Sequence, residues 1–121
     1  MIPKFRAWEP DVKYMNDQVR VTSNRFGSGE VWVEATESFG WIELKPEHLM
    51  QSTGLKDNNG VEFFEDDIGW DAHLEVHGQV IFENGAFKYE WDNISEDLFE
   101  VTDDIEIVGN IYENPELLEG N

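Results

Sequence analysis

The sequence has no cysteine. That excludes disulfides and thiolate metal sites, and it removes thiol chemistry from any mechanism. Nor is there an apolar run approaching the ~20 residues that a membrane-crossing helix needs. No secretory leader is recognised ahead of the first expected strand, so a reducing cytoplasm is the expected compartment. Basic residues are scarce and unevenly placed. Against 27 Asp and Glu stand 8 Lys and Arg, a formal net charge of −19. Residues 1–60 carry 9 acids and 7 bases, whereas residues 61–121 carry 18 acids and one base, Lys88. A surface built from that second half repels nucleic-acid phosphate and anionic membrane and attracts basic surfaces.

Aromatic residues, by contrast, are plentiful: five Trp, eight Phe and three Tyr in 121 residues. Acid-rich chains with few aromatics tend to disorder; this one has the apolar bulk to fold, with its acids coating the folded body. Its length suits one domain, able to bury roughly two thirds of its unfolded surface.

Short alternating runs separated by turn residues dominate the chain, and they predict strands. Lys4–Trp8 reads as a strand, Glu9-Pro10-Asp11 as a turn, and Val12–Met15 as the returning strand. Val19–Thr22, Val31–Ala35 and Phe39–Leu44 are extended. Ser23–Glu30 is a loop, and Pro46–Gln51 offers one helical turn with Pro at N1. Ser52–Gly60 reads as a long polar connection ending in an Asn-Gly turn. Val61–Phe64 is again a strand. Asn84-Gly85 predicts a hairpin pairing 79–83 with 86–91. Ser95–Phe99 suggests a helical turn started by Ser95. A final strand runs through Ile105–Glu113, with a bulge at Gly109. Asn114 and Pro115 then start a last short turn, which Gly120 stops. Seven to nine short strands with little helix predict a mainly β protein. The expected arrangement is a small N-terminal strand-rich lobe (1–48) followed by an SH3-like barrel (49–121) with a docked C-terminal turn, or the two as one compact unit.

Four stretches resemble the YopX family of phage and prophage proteins. They are KFRAW at 4–8 with KYM at 13–15, LMQSTGLKDNNGVEFFEDDI at 49–68, GQVIFENGAFKY at 78–89, and IVGNIYENPELL at 107–118. The resemblance implies a β-rich core whose latter part is SH3-like, homo-oligomeric assembly, and a phage or prophage origin in Firmicutes, hence a bacterial host cytoplasm. It implies no activity. One departure stands out: Glu65-Asp66-Asp67 replaces the family's Glu-Gly-Asp. Either the turn there differs or Asp66 takes the left-handed backbone that glycine adopts without steric cost.

Catalytic patterns are missing. His73 and His77 lie four apart, but in a strand that separates them by ~13 Å, too far for one metal. Glu65, Asp66, Asp67 and Asp71 lack calcium-loop spacing, and Glu96, Asp97, Asp103 and Asp104 are equally unpatterned; these eight are expected as acidic surface. Close carboxylate pairs, such as glycoside hydrolysis uses, arise by chance among so many acids. The serines sit in no nucleophile elbow, and no Gly-rich loop precedes Lys-Ser/Thr. No catalytic residue, cofactor or metal is assigned. Trp8, Trp32, Trp41, Trp70, Trp91, Tyr112, Pro115, Leu117 and Leu118 are expected to serve core packing or an oligomer interface.

Three functions fit. The leading one is a non-enzymatic interaction protein that assembles with its own copies. The second is a DNA mimic whose acidic half occupies a basic nucleic-acid-binding protein. The third is a metal-assisted enzyme using clustered carboxylates. Neither double-stranded nucleic acid nor membrane is an expected partner.

Overall fold

Strands form here because β-branched and aromatic residues alternate with polar ones over short spans, so each strand presents one face for burial. The computed structural model describes residues 4–17, 19–23, 31–35, 41–44 and 46–119, with the backbone alone for 19–23, 31–35, 41–44 and 46. The fold is mainly β, and the chain divides into two compact units, Met1–Gln51 and Ser52–Asn121. Residues 24–30 of the predicted Ser23–Glu30 loop, residues 39–40 of the predicted third extended run and the Gly120 stop lie outside the described residues, while Ser23 itself ends a strand.

In the first unit, β1 (Phe5–Glu9) turns through 10–13 and pairs antiparallel with β2 (Tyr14–Asn16). Then β3 (Val19–Ser23), β4 (Val31–Ala35) and β5 (Trp41–Leu44) form a three-stranded antiparallel meander. Pro46–His48 is a single 3₁₀ turn leading into β6 (Leu49–Lys56), whose first three residues pair with β1. Ala7, Trp8 and Met50 are buried.

The second unit opens with the rest of β6, paired antiparallel with β7 (Glu62–Phe64). The polar connection predicted over Ser52–Gly60 is therefore wrong for its first five residues. Their hydroxyls hold the pairing together: Ser52 Oγ donates to Glu62 Oε2 at 2.5 Å and Thr53 Oγ1 to the Phe63 carbonyl at 2.9 Å. A sequence of small polar residues reads as loop, but cross-strand bonds of this kind make it a strand.

Next come β8 (Asp67–Asp71), β9 (Val76–Glu83), β10 (Ala86–Trp91) and β11 (Ile94–Asp97), an antiparallel meander. A helical turn over Leu98–Asp104, α1 (Leu98–Val101) continued as 3₁₀, then returns the chain to β12 (Ile105–Asn110), which pairs with β8. The sheet order is β11-β10-β9-β8-β12. The predicted hairpin is present: Glu83 pairs with Ala86, and Asn84 (φ 54°) and Gly85 (φ 80°) both take the left-handed backbone that a tight two-residue turn requires. Asp92 (φ 45°) and Asn93 (φ 66°) make an equivalent turn without glycine. The bulge predicted near Gly109 occurs as a register shift between Ile107 and Gly109. Two further predictions fail. Ser95 belongs to β11 and the helix begins after Asp97, because the hairpin partner β10 claims Ser95 first. Twelve strands are present among the described residues, more than predicted.

The core of this unit is Phe63, Val80, Tyr89, Leu98 and Ile105. Tyr89 leans across Gly69 and Gly78, which are directly paired on β8 and β9. A Cβ on Gly78 would sit 2.5 Å from Tyr89 Cζ, and one on Gly69 would meet Tyr89 Oη at 2.9 Å and overlap Ile105 Cγ2. Glycine is needed at both places so that the ring can lie on the sheet. Asp57, 7% exposed, ties the 57–61 loop to β12. Its Oδ1 accepts from the Asn59 (2.9 Å) and Val61 (2.8 Å) amides and its Oδ2 from the Ile107 amide (2.9 Å). Burial pushes this carboxyl's pKa up, but the Ile107, Val61 and Asn59 amides together outweigh that and hold it below its ordinary value.

Two stability predictions result. Gly78→Ala forces the Tyr89 ring to move and should lower stability by about 1–3 kcal/mol in urea unfolding. Asp57→Ala strands three amide donors and should cost about 2–4 kcal/mol at pH 7. Because the folded pKa of Asp57 lies below the unfolded one, its stabilisation is present above the unfolded pKa and lost as pH falls through the folded value. The gap between the native protein and Asp57→Ala should accordingly narrow as the urea titration is repeated at pH values falling below the unfolded carboxylate pKa.

Candidate functional site

In the acidic half, aromatic residues of the β10 stretch and carboxylates from several elements meet in two clefts that share Trp91. One, about 360 Å³, is lined by His77 and Gln79 of β9, Glu90 and Trp91 of β10, the Asp92-Asn93 turn and Leu118. The other, about 320 Å³, is lined by Asp71, His73 and Leu74 at the β8–β9 turn, Tyr89 and Trp91 of β10, Glu96 of β11, and Val101, Asp104 and Ile105. Tyr89 and Trp91 lie with ring centroids 5.9 Å apart, tilted by 40°.

The second cleft has the more ordered wall. Asp71 Oδ1 accepts from the His73 (2.9 Å) and Leu74 (3.1 Å) amides, closing the turn, while the Glu75 amide donates to the Asp71 carbonyl at 2.7 Å. Tyr89 is 1% exposed, and its hydroxyl has no hydrogen-bond partner among the described residues. Burial raises the phenol's pKa strongly, the Asp71 charge raises it further, and the Gly78 backbone opposes them weakly. Lys88, the one base of residues 61–121, is already paired: its Nζ lies 2.8 Å from Asp97 Oδ1 on the facing strand, and that bond raises its pKa.

The residues expected to matter separate into groups. Asp71, Glu96, Asp104 and Trp91 come together in this cleft. Asp97 is held by Lys88, and Asp103 is exposed on the 3₁₀ turn. Asp67, expected on the surface, is 2% exposed: its Oδ2 accepts from the Phe64 amide at 2.8 Å, so it caps the β7–β8 turn from inside. Glu65 and Asp66 occupy that turn, half-buried. Trp70 lies against His77 with centroids 4.7 Å apart, while His73 is exposed on the β8–β9 turn. Among the described residues no three His, Asp or Glu side chains converge as metal ligands do. Trp8 is buried in the first unit; Trp32 and Trp41 lie on β4 and β5, with only backbone described. Tyr89, Asp57 and the Gly69–Gly78 pair were not singled out from sequence. The signal for Tyr89 was there in the Phe87, Tyr89, Trp91 alternation.

The GNIYENPELL string is a built turn. Asn110 Oδ1 accepts from the Tyr112 (3.0 Å) and Glu113 (2.9 Å) amides, and its Nδ2 donates to Glu113 Oε1 at 2.8 Å. Asn114 Oδ1 accepts from the Asn110 amide at 3.3 Å, and a Cβ on Gly109 would collide with the Asn114 side chain. Asn114 thus folds back on the strand and does not cap the 3₁₀ turn Pro115–Leu118. Pro115 is exposed, Tyr112, Leu117 and Leu118 are half-buried, and Leu118 faces the first cleft.

A family model described as YopX protein matches residues 4–119. The chain belongs to the YopX family. It is similar to the crystal structure of protein EF1440 from Enterococcus faecalis at 30% identity, covering 98% of this chain and 99% of that one with a TM-score of 0.70. It also resembles the crystal structure of yopX from Bacillus subtilis in fold, with 19% identity, coverage of 98% and 97%, and a TM-score of 0.65. Comparison with curated proteins returned no match. The stretches that carry the YopX resemblance fall on β1 and β2, on β6 through β8, on the β9–β10 hairpin, and on β12 with its terminal turn. Where the YopX pattern has glycine, Asp66 takes φ 67°, the left-handed option. Its backbone is held there on both sides: the Asp66 amide donates to the Val80 carbonyl (2.9 Å) and the Ile111 amide to the Asp66 carbonyl (3.0 Å).

Removing Glu113–Asn121 takes away Leu118 and the Glu113 and Asn114 partners of Asn110. The truncated protein should lose about 2–4 kcal/mol in urea unfolding; an unchanged midpoint would show that the terminal turn is ornamental.

Proposed function

We propose that this protein is a non-enzymatic, strongly acidic interaction protein of phage or prophage origin. In this reading it works in a bacterial host cytoplasm, assembles with its own copies, and carries an SH3-like barrel as its second unit. The observation that carries the reading is the coexistence of an acid coat with large apolar side chains left in solvent. Phe99 is 65% exposed, Phe82 53%, and Leu74, Val61 and Ile94 are about as open, in a half that holds 18 acids and one base. Large apolar side chains open to solvent are what contact with another protein would cover.

The SH3-like reading is supported by the chain path: a meander from β8 to β11, a helical turn, and a return strand pairing with β8 at the far edge of the meander. The non-enzymatic reading is supported by the surroundings of Asp57, Lys88 and Tyr89: backbone amides, an ion pair and burial respectively account for their displaced pKa values, and no two of them form an acid–base couple.

Copies carrying −19 each repel one another, while the apolar contacts attract. Self-association should therefore strengthen as salt rises from about 20 mM to about 0.5 M, because the Debye length shortens from roughly 20 Å to about 4 Å. Sedimentation velocity at the two salt concentrations reads this directly. A monomer at both would remove self-association from the reading.

A further inference from the structure

We propose that the free edge of strand β11 takes up an extended basic segment of a partner protein as an additional strand of the sheet. This rests on reading the protein as an acidic interaction protein, but not on its self-association.

The five-stranded sheet ends in β12 on one side and β11 on the other. The β12 edge is answered within the chain: the Asn58 amide donates to the Ile105 carbonyl at 3.0 Å, and the Ile107 amide to Asp57 Oδ2 at 2.9 Å. The β11 edge has no such cover. Asp92 and Asn93 make a two-residue turn with both residues left-handed, so Trp91 and Ile94 are the hydrogen-bonded pair that closes it. Antiparallel alternation then turns the backbone groups of Ile94 and Glu96 toward β10. It turns the Ser95 amide and carbonyl and the Asp97 amide away from the sheet. Among the described residues none of these three outward groups has a hydrogen-bond partner in another element. Nor does β11 carry the backbone devices that blunt an edge: it has no proline, and its four pairs with β10 run without a register shift.

An open edge is a template for any strand, so the side chains along it decide which one it takes. Glu96 and Asp97 lie on β11, and Glu100 follows on α1. The one base of residues 61–121, Lys88, is engaged by Asp97 at 2.8 Å. Opposite charges facing each other across a strand pair attract, and like charges repel. A second copy brings the same acids to the edge and a further −19 of charge, so electrostatics oppose pairing two β11 strands with each other. A segment with basic residues at alternate positions meets the acids instead. Apolar residues between them cover Ile94 and Phe99, which stand exposed at either end of the strand. Such a partner is recognised by two features together, its positive charge and a backbone able to hydrogen-bond.

The test is a titration of the full chain at low salt with the peptide acetyl-Lys-Val-Lys-Val-Lys-Val-Lys-amide, read by calorimetry and by amide exchange in nuclear magnetic resonance. Two further peptides separate the features: one with every backbone amide N-methylated, which keeps the charge and removes the donors, and one with glutamate for lysine. Ser95→Pro removes the outward amide at a position where an edge strand tolerates proline. We expect the lysine peptide to bind and to slow exchange at the Ser95 and Asp97 amides about tenfold at saturation. N-methylation of the peptide, or Ser95→Pro in the protein, should each cost about tenfold in affinity, and the glutamate peptide should not bind. Equal affinity for the methylated peptide would reduce the contact to charge alone and overturn the proposal. So would unchanged exchange at Ser95 and Asp97, or no binding of the lysine peptide. Slowed exchange at these amides without peptide, growing with protein concentration, would assign the edge to a second copy and equally overturn it. If Ser95→Pro fails to fold, the methylated peptide and the exchange rates still decide. Sedimentation of the chain alone reads self-association separately, so either result can fail without the other.

Discussion

The contact on which the second unit depends is the Tyr89 ring lying across the paired Gly69 and Gly78. A strand interior is a poor place for glycine, which costs backbone entropy and leaves nothing to pack. Two facing glycines make a gap in the sheet surface, and the ring fills it. Strands β8, β9 and β10 and the first residue of β12 are thereby gathered around one side chain. The energies favour this despite the orphaned hydroxyl. Burying a ring of this size contributes about 4–6 kcal/mol, against about 1–3 kcal/mol for a buried hydroxyl without a partner.

The acids of this chain serve two different ends. A few close turns with their carboxylates: Asp57 at the 57–61 loop, Asp67 at the start of β8, and Asp71 at the β8–β9 turn. Asn110 does the same at the end of β12. Backbone amides satisfy these groups, so they need no cation. Others, including Glu96 and Asp104, face outward on a cleft whose lining includes a single basic side chain, His73. The internal acids account for how so acidic a chain holds its loops. The external ones account for what it can attract, and the apolar side chains among them give an attracted partner something to rest on.

Much of the second unit was legible locally. Asn84-Gly85 between alternating runs implies a hairpin because two left-handed residues are what a tight strand reversal needs, and the register follows from the turn. Gly109 implied the bulge for a similar reason. Ser52–Lys56 was misread because small polar residues signal loop unless a partner strand accepts their hydroxyls, and the partner lies ten residues on. Asp92-Asn93 was missed as a tight turn because Asp and Asn reach the left-handed region less readily than glycine. In the candidate site, Trp91 and the carboxylates were noticed singly, but nothing in their spacing said that residues 71, 96 and 104 would line one cleft.

The sequence by itself determined the β character of the protein, its acid surplus and its family, because these depend on composition, on alternation along short runs and on the order of motifs. Tertiary structure alone decided which acids are buried as turn caps and which wall a cleft. It also decided that Tyr89 would lie on two glycines. Those outcomes rest on contacts between strands far apart in the chain, where burial and hydrogen-bond geometry, unlike residue type, vary from one acid to the next.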